Sequence, residues 1–134
     1  MITDIITNNL AWFLVSDEFQ KMARNLNLEN VQFISVDILE TSSETMIEGY
    51  AALNVIGHQD VIDYSHSIFY ETQTQDGRIE REVVKFALVR DRLRGFDFIR
   101  PKGNPGALIV SERVKKIFGK RSVTGAGFRE IRTY

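Results

Sequence analysis

The sequence contains no cysteine and only two prolines, and its first 76 residues hold just two basic side chains, Lys21 and Arg24. Without cysteine there is no disulfide framework, thiol nucleophile or zinc–thiolate site, and a reducing, intracellular compartment is the expectation. No apolar run approaches the ~20 residues that a membrane-spanning helix needs. The N-terminal stretch, Met1-Ile-Thr-Asp-Ile-Ile-Thr-Asn-Asn9, lacks the basic, apolar and small-residue pattern of a secretory signal, so no membrane association is expected. The chain is 134 residues long, 43% hydrophobic and 26% charged, which suits one globular domain over 1–134 and excludes a disordered tract.

The scarcity of cations in the first half is matched by an excess in the second. Residues 1–76 carry twelve acidic side chains against Lys21 and Arg24, a net of −10, whereas residues 77–134 carry fifteen basic and six acidic ones, a net of +9. The overall charge of −1 is therefore an average of two opposite halves. Either the halves neutralise each other within one fold, or one of them faces a partner of opposite charge. An acidic face suits a basic protein such as a nuclease; a basic face suits a phosphate backbone.

Patterning predicts an α+β fold, a largely antiparallel sheet carrying two short helices. Trp12-Phe13-Leu14-Val15 reads as a buried strand, and Ser16-Asp17-Glu18 as an N-cap and first helical turn. Phe19, Met22, Ala23 and Leu26 then recur at helical spacing. A similar unit follows near the C-terminus: Leu108-Ile109-Val110, then Ser111-Glu112, with Val114, Ile117 and Phe118 on one helical face and Gly119 as a plausible stop. In each unit a second strand is expected after the helix, Val31–Val36 in the first and Gly127–Ile131 in the second. Between the units, Thr45–Ile56 reads as one strand with imperfect alternation around Tyr50. Ser67–Thr74 and Ile79–Val89 flank Gln75-Asp76-Gly77-Arg78, a strong hairpin signal. Phe96–Ile99 reads as a further strand, and Pro101–Gly106 as a loop.

No catalytic constellation stands out. Gly119-Lys120-Arg121-Ser122 resembles the end of a phosphate-binding loop, but Val114 stands where the first glycine is needed. Thr124-Gly125-Ala126-Gly127 reads as a structural turn. Ser16 and Ser111 lack the flanking glycines of a strained nucleophile elbow. His58, Asp60, Asp63 and His66 share one segment and could in principle ligate a divalent ion, yet their spacing matches no known geometry, and no metal or other cofactor is expected.

Two surfaces remain as binding candidates. Asp37, Glu40, Glu44 and Glu48 span a Thr/Ser-rich loop and a strand start, and could offer carboxylates to a partner's Arg and Lys, with Asp60 and Asp63 as a sequence-adjacent extension. Tyr50, Tyr64 and Tyr70 are candidate anchors if exposed. Arg90, Arg92, Arg94 and Arg100, interleaved with Phe96 and Phe98, form the alternative, a nucleic-acid-binding module in the basic half. The spacing of those aromatics favours a core role over base stacking.

Three groups of segments bear a family resemblance when taken in order. The first is Leu14-Val-Ser-Asp-Glu-Phe-Gln-Lys21 with Asn30-Val-Gln-Phe33. The second is Tyr50-Ala-Ala-Leu-Asn-Val-Ile-Gly-His-Gln-Asp-Val-Ile-Asp-Tyr-Ser65. The third comprises Gly95-Phe-Asp-Phe-Ile-Arg100, Ile109-Val-Ser-Glu-Arg-Val-Lys115 and Thr124-Gly-Ala-Gly-Phe-Arg-Glu-Ile131. Together they resemble a bacterial immunity-protein family of polymorphic toxin systems, formerly a domain of unknown function. That resemblance implies a cytoplasmic, non-enzymatic protein that binds and silences a cognate toxin, and it carries over no catalytic residue. It leaves open the oligomeric state and the toxin's identity.

Overall fold

Two serines open the two α-helices found among the described residues. Ser16 Oγ accepts the Phe19 N–H at 3.1 Å, and Ser111 Oγ accepts the Val114 N–H at 3.3 Å, the same three-residue reach in both cases. The computed structural model in which these contacts occur describes residues 5–6, 13–104, 106–121 and 127–134. In chain order the elements are β1 (Ile5–Ile6), β2 (Phe13–Val15), α1 (Asp17–Ala23), β3 (Val31–Glu40), β4 (Thr45–Val55), β5 (Ile68–Gln73) and β6 (Ile79–Lys85). There follow β7 (Ala87–Leu88), a 3-10 turn (Arg90–Leu93), β8 (Phe98–Ile99), β9 (Ile109–Val110), α2 (Glu112–Arg121) and β10 (Arg132–Thr133).

The helical faces expected from the sequence are the buried ones. Phe19, Met22, Ala23 and Leu26 are buried, as are Val114 and Phe118, and the Phe19 and Phe118 rings meet at 5.1 Å. With Val15, Leu53, Val55 and Phe98 they form the larger of two apolar clusters. Each large side chain removed from water there contributes about 1.5–3 kcal/mol. Val61, Leu88 and Ile99 centre the smaller cluster, with Leu93, Phe96, Ile109 and Ile131 packed on it.

Strands β1, β2, β4 and β3 lie side by side in that order, all antiparallel. The remaining strands pair as three ribbons: β5 with β6, β8 with β9, and β7 with β10. Only the last of these is parallel. The fold is α+β and mostly antiparallel, as patterning indicates. Gln75-Asp76-Gly77 lies between β5 and β6 as the Asp-Gly signal requires, with Gly77 at φ +84°.

Four expectations need correction. First, α2 does not stop at Gly119 but continues to Arg121. Gly119 is exposed with open space around it, and a solvent-facing glycine costs a helix only about 1 kcal/mol. Second, residues 127–131 are irregular, and the C-terminal strand is Arg132–Thr133 on β7. The two strand–Ser–helix units therefore correspond up to the helix and no further. Third, β3 runs on to Glu40, so Asp37 and Glu40 stand on a strand, not in a loop. Fourth, the long strand expected over Ile79–Val89 breaks at Phe86 into β6 and β7, which join different ribbons. The readings of Trp12 as a strand residue and of Thr124–Ala126 as a turn lie outside the described residues.

The uneven alternation near Tyr50 has a structural cause. Val36 pairs with Tyr50, and the next pair along the strands is Ile38 with Ile47, so Asp37 stands opposite two residues, Glu48 and Gly49. This is a β-bulge, and Gly49 supplies the left-handed φ of +86° at the extra residue.

Candidate partner-binding surface

The β3–β4 hairpin extends past the apolar core. No side chain from Ile34 to Tyr50 is buried, and burial resumes only at Ala51. The sequence has no Lys or Arg between Arg24 and Arg78, so every formal charge on this hairpin is negative. Asp37 lies at the bulge, Glu40 at the end of β3, Glu44 in the turn and Glu48 at the bulge on β4. All four are exposed, and none joins an ion pair among the described residues. The turn is held by its own hydroxyls: Ser42 and Ser43 donate to the Glu40 carboxylate at 3.4 and 3.1 Å. Thr45 Oγ1 donates to the Ser43 carbonyl at 3.2 Å, and Glu44 adopts a left-handed φ of +53°.

Of the remaining candidates, Tyr50 stays on this hairpin and the others lie elsewhere. Tyr50 is half-buried beside the bulge and Tyr64 is half-buried too, so of the three tyrosines only Tyr70, 63% exposed, is presented as expected. Asp60 accepts an ion pair from Arg92 at 3.3 Å, and the same guanidinium donates to the Asp60 carbonyl at 3.1 Å. Asp63 accepts from the Ser65 hydroxyl and backbone and pairs with His66 Nδ1 at 2.8 Å. Those bonds, the Ser65 hydroxyl first and His66 next, hold the Asp63 carboxyl below the usual carboxylate range. The structure thus collects Asp37, Glu40, Glu44 and Glu48 on one hairpin, and ties Asp60 and Asp63 into the segment joining β4 to β5.

Ser65, Asp63 and His66 have the composition of a hydrolytic triad without its geometry. Both the serine hydroxyl and the carboxylate approach Nδ1, whereas a triad places nucleophile and orienting acid on opposite ring nitrogens. The imidazole also stacks on Tyr134 at 3.9 Å, which fixes the C-terminal residue against this turn. His58 is exposed, and among the described residues no three His, Asp or Glu side chains converge as a metal set.

In the basic half many arginines are spent locally. Arg94 pairs with Asp91 at 3.2 Å, and Arg90 donates to the Thr133 hydroxyl at 3.2 Å. Phe98 is 1% exposed and Phe96 packs on the smaller cluster, so neither ring is laid out as a stacking platform for bases. Among the described residues, the two halves of the sequence meet as ion pairs at Asp60–Arg92, Glu71–Arg81 and Asp76–Arg78, and nowhere on β3–β4.

One polar centre escaped the sequence reading. Asp97 is only 4% exposed, yet it accepts the Asn27 N–H and the Ser111 hydroxyl, each at 2.6 Å, and is paired with the Arg113 guanidinium. Burial pushes its carboxyl up, but the bonds from Arg113, Ser111 and Asn27 and the Arg113 charge outweigh this and hold it below the usual range. Asp97 thereby ties the loop after α1 to the start of α2. Nothing local in Phe96-Asp97-Phe98 announces it, because its partners lie 70 residues before and 14 to 16 residues after it.

A recess of about 510 Å³ lies between β9, the start of α2 and residues 127–133. Its lining carries both signs, Glu112 and Glu130 with Lys115 and Arg129, and so shows no preference for a charged partner. Comparison with curated proteins gives no match. The model of the immunity protein family Imm11, by contrast, matches residues 1–133, and the chain therefore belongs to the Imm11 immunity protein family.

Proposed function

We propose that the chain is one cytoplasmic domain that neutralises a cognate toxin by stoichiometric binding, without chemistry of its own, and that the β3–β4 hairpin makes the contact. One observation carries this reading: four exposed carboxylates on a projecting hairpin with no cation of their own. Such a surface attracts a basic toxin domain, a nuclease being the leading class. Steering of this kind raises association rates to about 10⁸ M⁻¹s⁻¹ at low salt, which suits capture of a lethal enzyme soon after synthesis.

The test is the triple variant Glu40→Lys, Glu44→Lys, Glu48→Lys in cells expressing the toxin encoded beside this chain's gene. Protection is expected to fail, while the thermal midpoint of the purified variant stays at the parental value. Full protection by the folded variant would reject this surface. Capture should also slow steeply as salt is raised, because exposed charges are screened over about 10 Å at 0.1 M ionic strength.

A further inference from the structure

The hairpin that carries the free carboxylates also carries an apolar pair with no core behind it. Leu39 and Met46 are cross-strand partners, 56% and 52% exposed. Opposed side chains in an antiparallel pair start about 5 Å apart, so the two form one contiguous knob. The neighbouring pair, Ile38 and Ile47, is half-buried. Single exposed apolar residues are ordinary on protein surfaces. This pair differs in that every charged residue flanking it along the two strands, Asp37, Glu40, Glu44 and Glu48, is of one sign. Its turn is already braced by Ser42, Ser43 and Thr45, which lowers the ordering cost of docking.

We infer that Leu39 and Met46 are the anchor of the complex, seated in an apolar slot of the toxin whose walls carry lysine and arginine, the lining of a cleft that holds a phosphate backbone. This rests on the reading of the hairpin as the toxin-binding element. The occupant follows from charge complementarity. A slot that received the knob would also desolvate the surrounding carboxylates, and only a cation-lined wall would leave them paired. The labour is then divided: carboxylates at the rim set the association rate, and the desolvated knob sets the dissociation rate.

The other hairpin, β5–β6, also exposes apolar side chains, Ile68, Tyr70, Ile79 and Val84, so the two hairpins differ in charge and not in apolar exposure. Its charges are of both signs, and Glu71 pairs with Arg81 and Asp76 with Arg78. It lacks the uniform sign of β3–β4.

The experiment measures association and dissociation rates of the full chain on an immobilised, catalytically silenced toxin domain, the one encoded beside this chain's gene. Leu39→Ala with Met46→Ala is expected to raise the dissociation rate about tenfold or more while leaving the association rate within about twofold. The triple Glu→Lys variant should slow association about tenfold or more. A short DNA or RNA duplex should compete with the chain for the toxin. An unchanged dissociation rate in the alanine pair, with the lysine triple still defective, overturns the anchor and leaves the hairpin reading standing. Indifference to both variants overturns the hairpin reading as well. A faster dissociation in Tyr70→Ala with Ile79→Ala instead moves the anchor to β5–β6 and overturns the inference, as does simultaneous binding of the duplex and the chain.

Discussion

Asp97 and the carboxylates of the β3–β4 hairpin are the same chemical group in opposite circumstances. Asp97 is buried, accepts a backbone N–H and a hydroxyl, and is closed off by the Arg113 guanidinium. On the hairpin Glu40 accepts two local hydroxyls, and no ion pair reaches Asp37, Glu40, Glu44 or Glu48 among the described residues. Asp97 joins segments far apart in the chain and so acts on the fold. Among the described residues the hairpin acids bridge no segments distant in the chain and are neutralised by no cation. A count of charges cannot distinguish the two cases; the donors around each oxygen do.

The sharpest way to break that contrast is to remove each group and measure stability. Asp97→Ala leaves the Ser111 hydroxyl and the Asn27 N–H without their acceptor, and is expected to cost about 3 kcal/mol in urea unfolding. Replacing Asp37, Glu40, Glu44 and Glu48 together by Asn or Gln should change stability by less than about 0.5 kcal/mol per site, since no bond between elements is lost. If the four-site variant loses as much as Asp97→Ala, the hairpin acids are structural and the contrast fails.

Acid titration sharpens the same point. The folded-state pKa of Asp97 lies below its ordinary value of 3.8, so its stabilisation is fully present above that value. It is lost as pH falls through the lower, folded value. Asp63 and Asp76 are shifted in the same direction, so the parent alone cannot isolate Asp97. The difference in urea midpoint between parent and Asp97→Asn should therefore be constant from pH 7 to about pH 5 and shrink below about pH 4. A difference that grows on acidification would reverse the assigned sign.

Much of this arrangement was legible in the sequence, and the part that was not has a common cause. Local signals read true: Ser16 and Ser111 before acidic first turns, Asp76-Gly77 between β-prone runs, and the helical spacing of Phe19, Met22, Ala23 and Leu26. The acidic cluster was legible as composition, but its strand placement was not. Asp37 and Glu48 interrupt the apolar alternation, and the bulge that accommodates them at Gly49 shows only as faulty periodicity. Asp97 was invisible because its environment is assembled from residues remote in the chain. The parallel pairing of β10 with β7 was hidden for the same reason.

The two N-caps offer a smaller test, because only one of them touches the buried carboxylate. Ser16 caps α1 through the Phe19 N–H, and its removal as Ser16→Ala should cost about 1 kcal/mol. Ser111 caps α2 and also donates to Asp97, so Ser111→Ala should cost about 2 kcal/mol. The excess should vanish in the Asp97→Asn background if the hydroxyl's second bond is its source. An undiminished cost of Ser111→Ala in that background would mean that Asp97 does not depend on that donor.

The smallest expected effect comes from β5–β6, where charges meet on the surface. Glu71 and Arg81 pair at 3.1 Å with both side chains about half exposed, and such pairs are worth less than about 1 kcal/mol. The guanidinium also lies over the Tyr64 ring at 4.6 Å and the Phe69 ring at 5.2 Å, contacts that survive loss of the carboxylate. Glu71→Gln should therefore cost under about 0.5 kcal/mol, and Arg81→Ala about twice as much, because the second substitution removes packing on two aromatic rings as well as charge. Salt separates the contributions: 0.5 M NaCl should erase the Glu71 effect and leave most of the Arg81 effect. Toxin capture provides the contrast, since Glu71→Gln removes a charge already neutralised by its neighbour and should leave the association rate unchanged, whereas Glu44→Gln removes one that no neighbour neutralises and should lower it.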